Sequence, residues 1–210
     1  KGDISSYVSN NIIHNYNIEI LELSCFFMNE IADIALNLKK FKKMKDSLNV
    51  AISIHAPPII NIKNDKVSYT FSENLRWIYL IAKELNLEWI TVHGFVVDRI
   101  LREYERKYWL IDLKNRIDNF PIDIKKLILI ENGFGNIFPK QSDEFNFLKR
   151  KLILDVAHAY IEGGQRAIKD LINCCKPQQF HISDVNDNSR HISVGEGKIN
   201  FSFIKETGMD

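Results

Sequence analysis

KLILIENG (residues 126–133) and KLILDVAH (residues 151–158) are the stretches whose reading decides the fold. Each is an unbroken apolar run, rich in β-branched residues, that stops on a carboxylate: Glu131 in the first, Asp155 in the second. An alternating strand hides one face only. A run without alternation is the pattern of a strand buried on both faces, as in a parallel sheet covered by helices. The same construction recurs with histidine at the stop. SIHAPP ends its run at His55, TVHGF at His93 and FHISD at His181, and SRHISVGEG follows with His191. His158 lies three residues beyond Asp155, so among the histidines only His14 falls outside the set.

Strands that each end on a His, Glu or Asp are the pattern of a parallel α/β barrel delivering ligands to one rim. The spacing agrees. His55 to His93 and His93 to Glu131 are each 38 residues, and the later steps are shorter. Such a step holds one strand, one helix and two loops. The predicted strands are 18–24, 49–55, 88–93, 126–131, 151–155 and 179–183. The predicted helices are 3–14, 29–48, 71–86, a pair over 97–119, and 163–174, with a Pro- and Asn-rich loop after His55. The fold class is therefore α/β, of the (β/α)8 TIM-barrel type, as a single domain over 1–210 with no linker. Eight strands need ~250 residues, and six are legible in 210. The expectation is that a strand before Lys1 and another after Asp210 are missing from this chain.

Composition narrows the function classes. With 28 basic and 27 acidic residues the chain is no polyelectrolyte, which disfavours binding dominated by phosphate neutralisation but leaves room for a local basic rim. Lys39, Lys40, Lys42 and Lys43 read as the solvated face of an outer helix rather than a phosphate patch. No apolar stretch is long enough to span a membrane, so no membrane partner is expected. Cys25, Cys174 and Cys175 form no CxxC pair and read as reduced thiols of a cytoplasmic protein. There is no GxSxG elbow, P-loop or dinucleotide fingerprint.

The chemistry lies in the strand ends. A buried carboxylate is costly unless it is paired, hydrogen-bonded or bound to metal. Glu131 and Asp155, flanked by histidines on neighbouring strands, point to a shared divalent ion, with a structural ion pair as the alternative for each. His181 joins them as a ligand. His158 is placed for a second metal or a substrate oxygen. His55 and His93 are placed for metal or for substrate hydrogen bonds. His191 stands in a loop whose glycines, Gly195 and Gly197, permit close backbone approach. Arg190 offers a donor fork to an anionic group, and Asn132 is placed to hold Glu131 or a substrate hydroxyl.

In order, HAPP, VHG, LIENGFG, LDVAHA, HISD and RHISVGEGKINF resemble the xylose isomerase-like TIM barrel superfamily over about residues 18–204. That superfamily includes sugar and sugar-phosphate isomerases and epimerases and the endonuclease IV type of DNA repair enzyme. In the isomerase branch a Glu, an Asp and a His on successive strands bind one divalent metal (Mn, Mg, Co or Zn). Glu131, Asp155 and His181 match them. A fourth ligand, a Glu on the final strand, would fall beyond Asp210. The reaction implied is proton transfer beside a carbonyl, with Glu131 carrying the proton and His158 contacting the sugar. In the endonuclease IV branch more histidines are recruited to three zinc ions, and His55, His93, His158, His181 and His191 all have counterparts. The reaction implied there is phosphodiester hydrolysis at an abasic site, with DNA as partner. Ser189 departs from that branch, which carries an Asp ligand before its Arg-His pair. The sugar isomerase or epimerase reading is preferred, with the abasic-site endonuclease and a non-catalytic binding barrel as alternatives. The apolar outer helices are compatible with a homodimer.

Overall fold

The computed structural model describes residues 18–25 and 27–206. The expected helix over 3–14 and the last residues, 207–210, lie outside the described residues. The chain runs β1 (Ile20–Ser24), α1 (Met28–Leu36), α2 (Leu38–Leu48), β2 (Ala51–His55), β3 (Ile60–Lys63), β4 (Lys66–Ser68), α3 (Thr70–Glu73), α4 (Leu75–Leu85) and β5 (Ile90–His93). It continues through β6 (Phe95–Val97), α5 (Glu103–Asp118), α6 (Ile122–Leu127), β7 (Ile128–Glu131), β8 (Ile137–Phe138), α7 (Ser142–Leu148) and β9 (Leu152–Asp155). Then come α8 (Val156–Cys175), β10 (Gln179–His181), β11 (Asp184–Val185), β12 (Arg190–Ile192) and α9 (Phe203–Glu206). The six expected strands are all present, in the order β1-β2-β5-β7-β9-β10. No described helix is long and apolar enough to cross a membrane.

The chain divides into two compact units. Among the described residues, the first holds those up to 57 with 70–91 and 121–128; the second holds 58–69, 92–120 and 129–206. In the first unit β1 pairs parallel with β2, and β2 with the start of β5. Ile52 and Ile54 of β2 are fully buried. α4 supplies Ile78, Ile81, Ala82 and Leu85 to the core at helical spacing. α2 buries Phe41 and Leu48 and leaves Lys39, Lys40, Lys42 and Lys43 exposed, as its pattern predicts. The predicted single helix over 29–48 is two helices. Asn37 interrupts it (φ −111, ψ 20), and both its backbone N–H and its side-chain amide donate to Asp33 O. Such local bonding by Asn competes with helix continuation.

In the second unit β7 pairs parallel with β9, and β9 with β10. Every residue of β9 is buried, as the unbroken apolar run requires. A second sheet, ordered β4-β3-β6-β8, occupies the segment that the sequence pattern assigns to a loop after His55 and two short stretches, 95–97 and 137–138, that it does not assign to strands. β3 and β4 form a hairpin closed by Asn64 and Asp65, both at positive φ (51 and 57). That is the primed turn favoured between twisted antiparallel strands, and Asn-Asp was its only local signal. α8 begins at Val156, seven residues earlier than the pattern predicts, because Asp155 caps it by accepting the His158 N–H at 2.8 Å. Gly163 and Gly164 break its helical geometry near the predicted start.

Candidate metal centre

β7 delivers Glu131 to its C-terminal end almost completely buried, at 1% exposure. One carboxylate oxygen lies 2.9 Å from His181 Nδ1, the other 3.4 Å from His93 Nε2. β9 delivers Asp155 one strand over, also buried. Burial pushes the Asp155 carboxyl above its usual range; His158 opposes this and the Glu131 charge adds to it. Donor atoms of Glu131, Asp155 and His181 all lie within 4.8 Å of one another. Those of Asp155, His158 and His191 do the same, so Asp155 belongs to both groups.

The donor chemistry fits a borderline divalent ion. Two ligands each ~2.1 Å from a tetrahedral zinc are ~3.4 Å apart. The His93–Glu131 separation is of that size, whereas His181 Nδ1 and Glu131 are at hydrogen-bond distance. His158 Nδ1 lies 2.9 Å from Asn132 O. A carbonyl accepts only, so Nδ1 carries the proton and Nε2 presents its lone pair. His191 Nδ1 lies 2.9 Å from Ser183 Oγ. A ring nitrogen held by a neutral oxygen is how a ligating histidine is oriented. His191 is also in the left-handed region (φ 60), uncommon for a residue with a side chain and a mark of functional sites. The rings of His158 and His191 meet edge to face at 5.1 Å, and Phe134 packs on His158 at 4.6 Å.

Asn132, expected to reach Glu131 or a substrate hydroxyl, is fully buried and occupied with the backbone of Asp155. It donates to Asp155 O at 3.0 Å and accepts from Asp155 N at 2.7 Å. Arg190 stacks its guanidinium over the Phe134 ring at 4.7 Å. Ser189 is exposed, with its hydroxyl donating to Arg190 O at 3.3 Å. Asp184, also buried, accepts from Val185 N and Ile199 N on one oxygen and from Gly195 N and Gly197 N on the other. It thereby fixes the loop that follows His191.

In the first unit His55 ends β2, its Nδ1 3.7 Å from Glu22 of β1. Glu22 also accepts from Trp89 Nε1 at 3.2 Å and from Thr91 Oγ1. Glu22 lies inside its strand and so has no strand-end mark in the sequence. The available signal was a carboxylate inside the apolar stretch ILELS.

Neither a protein-family model nor a curated protein matches this sequence. Solved structures do match. A probable 3-DHS dehydratase, AsbF, involved in petrobactin synthesis from Bacillus anthracis, aligns over 99% of this chain and 84% of its own, with TM-score 0.70 and 11% identity. The IolI protein with a bound zinc atom aligns over 95% and 79%, with TM-score 0.64 and 16% identity. A family 2 AP endonuclease from Brucella melitensis aligns over 90% and 87%, with TM-score 0.56 and 14% identity. The fold of this chain is that of these solved structures, an α/β fold of the TIM-barrel type with a parallel sheet of six strands.

Proposed function

We propose that the chain is a divalent-metal-dependent enzyme in which Glu131, Asp155 and His181 hold one ion and Asp155, His158 and His191 hold a second. The reaction this arrangement supports best is hydrolysis of a phosphate ester, as in the abasic-site endonuclease reading. The observation that carries it is the sharing of Asp155 between two donor groups, with His158 and His191 each tied through Nδ1 to a neutral oxygen. Bound ions would supply Lewis-acid polarisation of substrate oxygens and a more acidic water. The protein's part is to hold the donors. Asn132 fixes the Asp155 backbone and the His158 tautomer together, and Ser183 orients His191. Glu131 is buried between two imidazoles and positioned to hold or pass a proton.

A second reading, sugar or sugar-phosphate isomerisation or epimerisation with a single ion, is favoured by Ser189. The position where the endonuclease branch carries an Asp zinc ligand is here a serine whose hydroxyl is turned to Arg190 O. On this reading the ion sits at Glu131, Asp155 and His181, and His158 contacts the sugar.

Metal analysis after zinc loading separates the two. About two zinc ions per chain, one of them lost in His191→Ala, support the hydrolase. A single ion indifferent to His191→Ala refutes the two-ion centre. Cleavage of abasic-site DNA, abolished by His181→Ala, completes the first case. Exchange of a ketose C–H proton with heavy water completes the second.

A further inference from the structure

A cleft of about 400 Å³ lies beside β11 and β12, within the second unit. Its walls include Tyr160, Asn186, Asp187, Asn188, Arg190 and Lys198. Its volume falls in the range of small-molecule sites. The Lys198 charge is balanced by Asp187. Arg190 is exposed and has no carboxylate partner among the described residues; its guanidinium lies over the face of Phe134. Stacking on an aromatic ring fixes the plane of a guanidinium and leaves its N–H edge for a ligand. Phe134 also packs on His158, so a single ring separates the guanidinium from the Asp155, His158 and His191 group.

We infer that Arg190, with the cleft beside it, is the receptor for a phosphate group carried by the substrate. The inference rests on the metal-centre reading for where the reacting end of that substrate sits. A net positive, polar cleft with one planar fork matches phosphate better than it matches a neutral polyol, because the fork makes paired charge-assisted hydrogen bonds to two phosphate oxygens. A phosphate monoester on a small sugar and a phosphodiester in nucleic acid present the same oxygens.

The test is calorimetric titration of the zinc-loaded chain with ribose 5-phosphate, with ribose, and with a short DNA duplex bearing one tetrahydrofuran abasic site. The proteins are wild type, Arg190→Ala and Arg190→Lys. For at least one phosphate-bearing probe, Arg190→Ala is expected to weaken binding about tenfold or more and Arg190→Lys to recover only part, since lysine lacks the fork. Zinc content and ribose binding should stay unchanged. Preference for ribose 5-phosphate identifies a monoester and preference for the duplex a phosphodiester; either sustains the inference. Equal affinity of wild type and Arg190→Ala for both phosphate probes, or no binding of either, overturns it. A chain that takes up no zinc refutes the metal centre yet still reports the Arg190 contrast, so the two failures are told apart.

Discussion

Replacing Asn132 by Ala should destabilise the second unit and loosen the metal centre together. The side chain makes two buried hydrogen bonds to the backbone of Asp155, at 3.0 and 2.7 Å. A net contribution of ~1 kcal/mol per bond, with part of the ~1–3 kcal/mol penalty for each buried backbone group deprived of its partner, gives about 3 kcal/mol. Asn132→Asp should cost more. It sets a carboxylate oxygen against Asp155 O, in a fully buried position beside two acidic side chains. Urea unfolding followed by circular dichroism reads the loss. With a slope of ~3 kcal/mol/M for a chain of this size, the midpoint should fall by about 1 M at unchanged slope. Zinc affinity should fall as well, since positioning partners of ligands are typically worth about 10–100-fold. A midpoint shift below about 0.3 M, with undiminished zinc affinity, would refute the reasoning.

Three other outcomes follow from the same geometry. Gly197→Ala would place a Cβ 2.3 Å from both Asp184 Oδ1 and Val185 O, neither of which is a flexible chain end, so a loss of about 1–3 kcal/mol is expected in the same unfolding assay. Burial alone would raise the Asp184 carboxyl, but the backbone N–H groups of Ile199, Val185, Gly197 and Gly195 hold it below the usual range. A depressed folded value means that its stabilisation is full above the unfolded value of ~3.9 and is lost as pH falls through the lower folded one. Thermal melts below pH 4 should therefore show an acid-side decline that Asp184→Asn flattens, and parallel profiles would count against this. Burial, helped by Glu30 and Glu22, pushes the Cys25 thiol up to about 12. Iodoacetamide at mildly alkaline pH should label the exposed Cys174 well before Cys25, as read by peptide mass spectrometry.

The sequence by itself determined the parallel strands and the rim residues. The runs ending at His55, His93, Glu131, Asp155 and His181 are strands ending at those residues. They were legible because a strand buried on both faces must be apolar throughout, and a polar residue there ends the run. The hairpin at Asn64-Asp65, the short strands β6 and β8, and the break at Asn37 were not legible. A three-residue strand has too few positions to show a period, and its pairing is decided by distant partners, as where Phe95 of β6 meets Phe138 of β8. The roles within the site were likewise decided by tertiary structure alone. Proximity in sequence put Asn132 beside Glu131; the parallel register of β7 and β9 turned its amide onto Asp155 instead. Glu22 carried no strand-end signal, and its company of His55, Trp89 and Thr91 exists only through the pairing of β1, β2 and β5. Periodicity along one strand is a local property that a sequence displays. Which side chains converge at the strand ends depends on register between strands, and that is set by the packing of the whole unit.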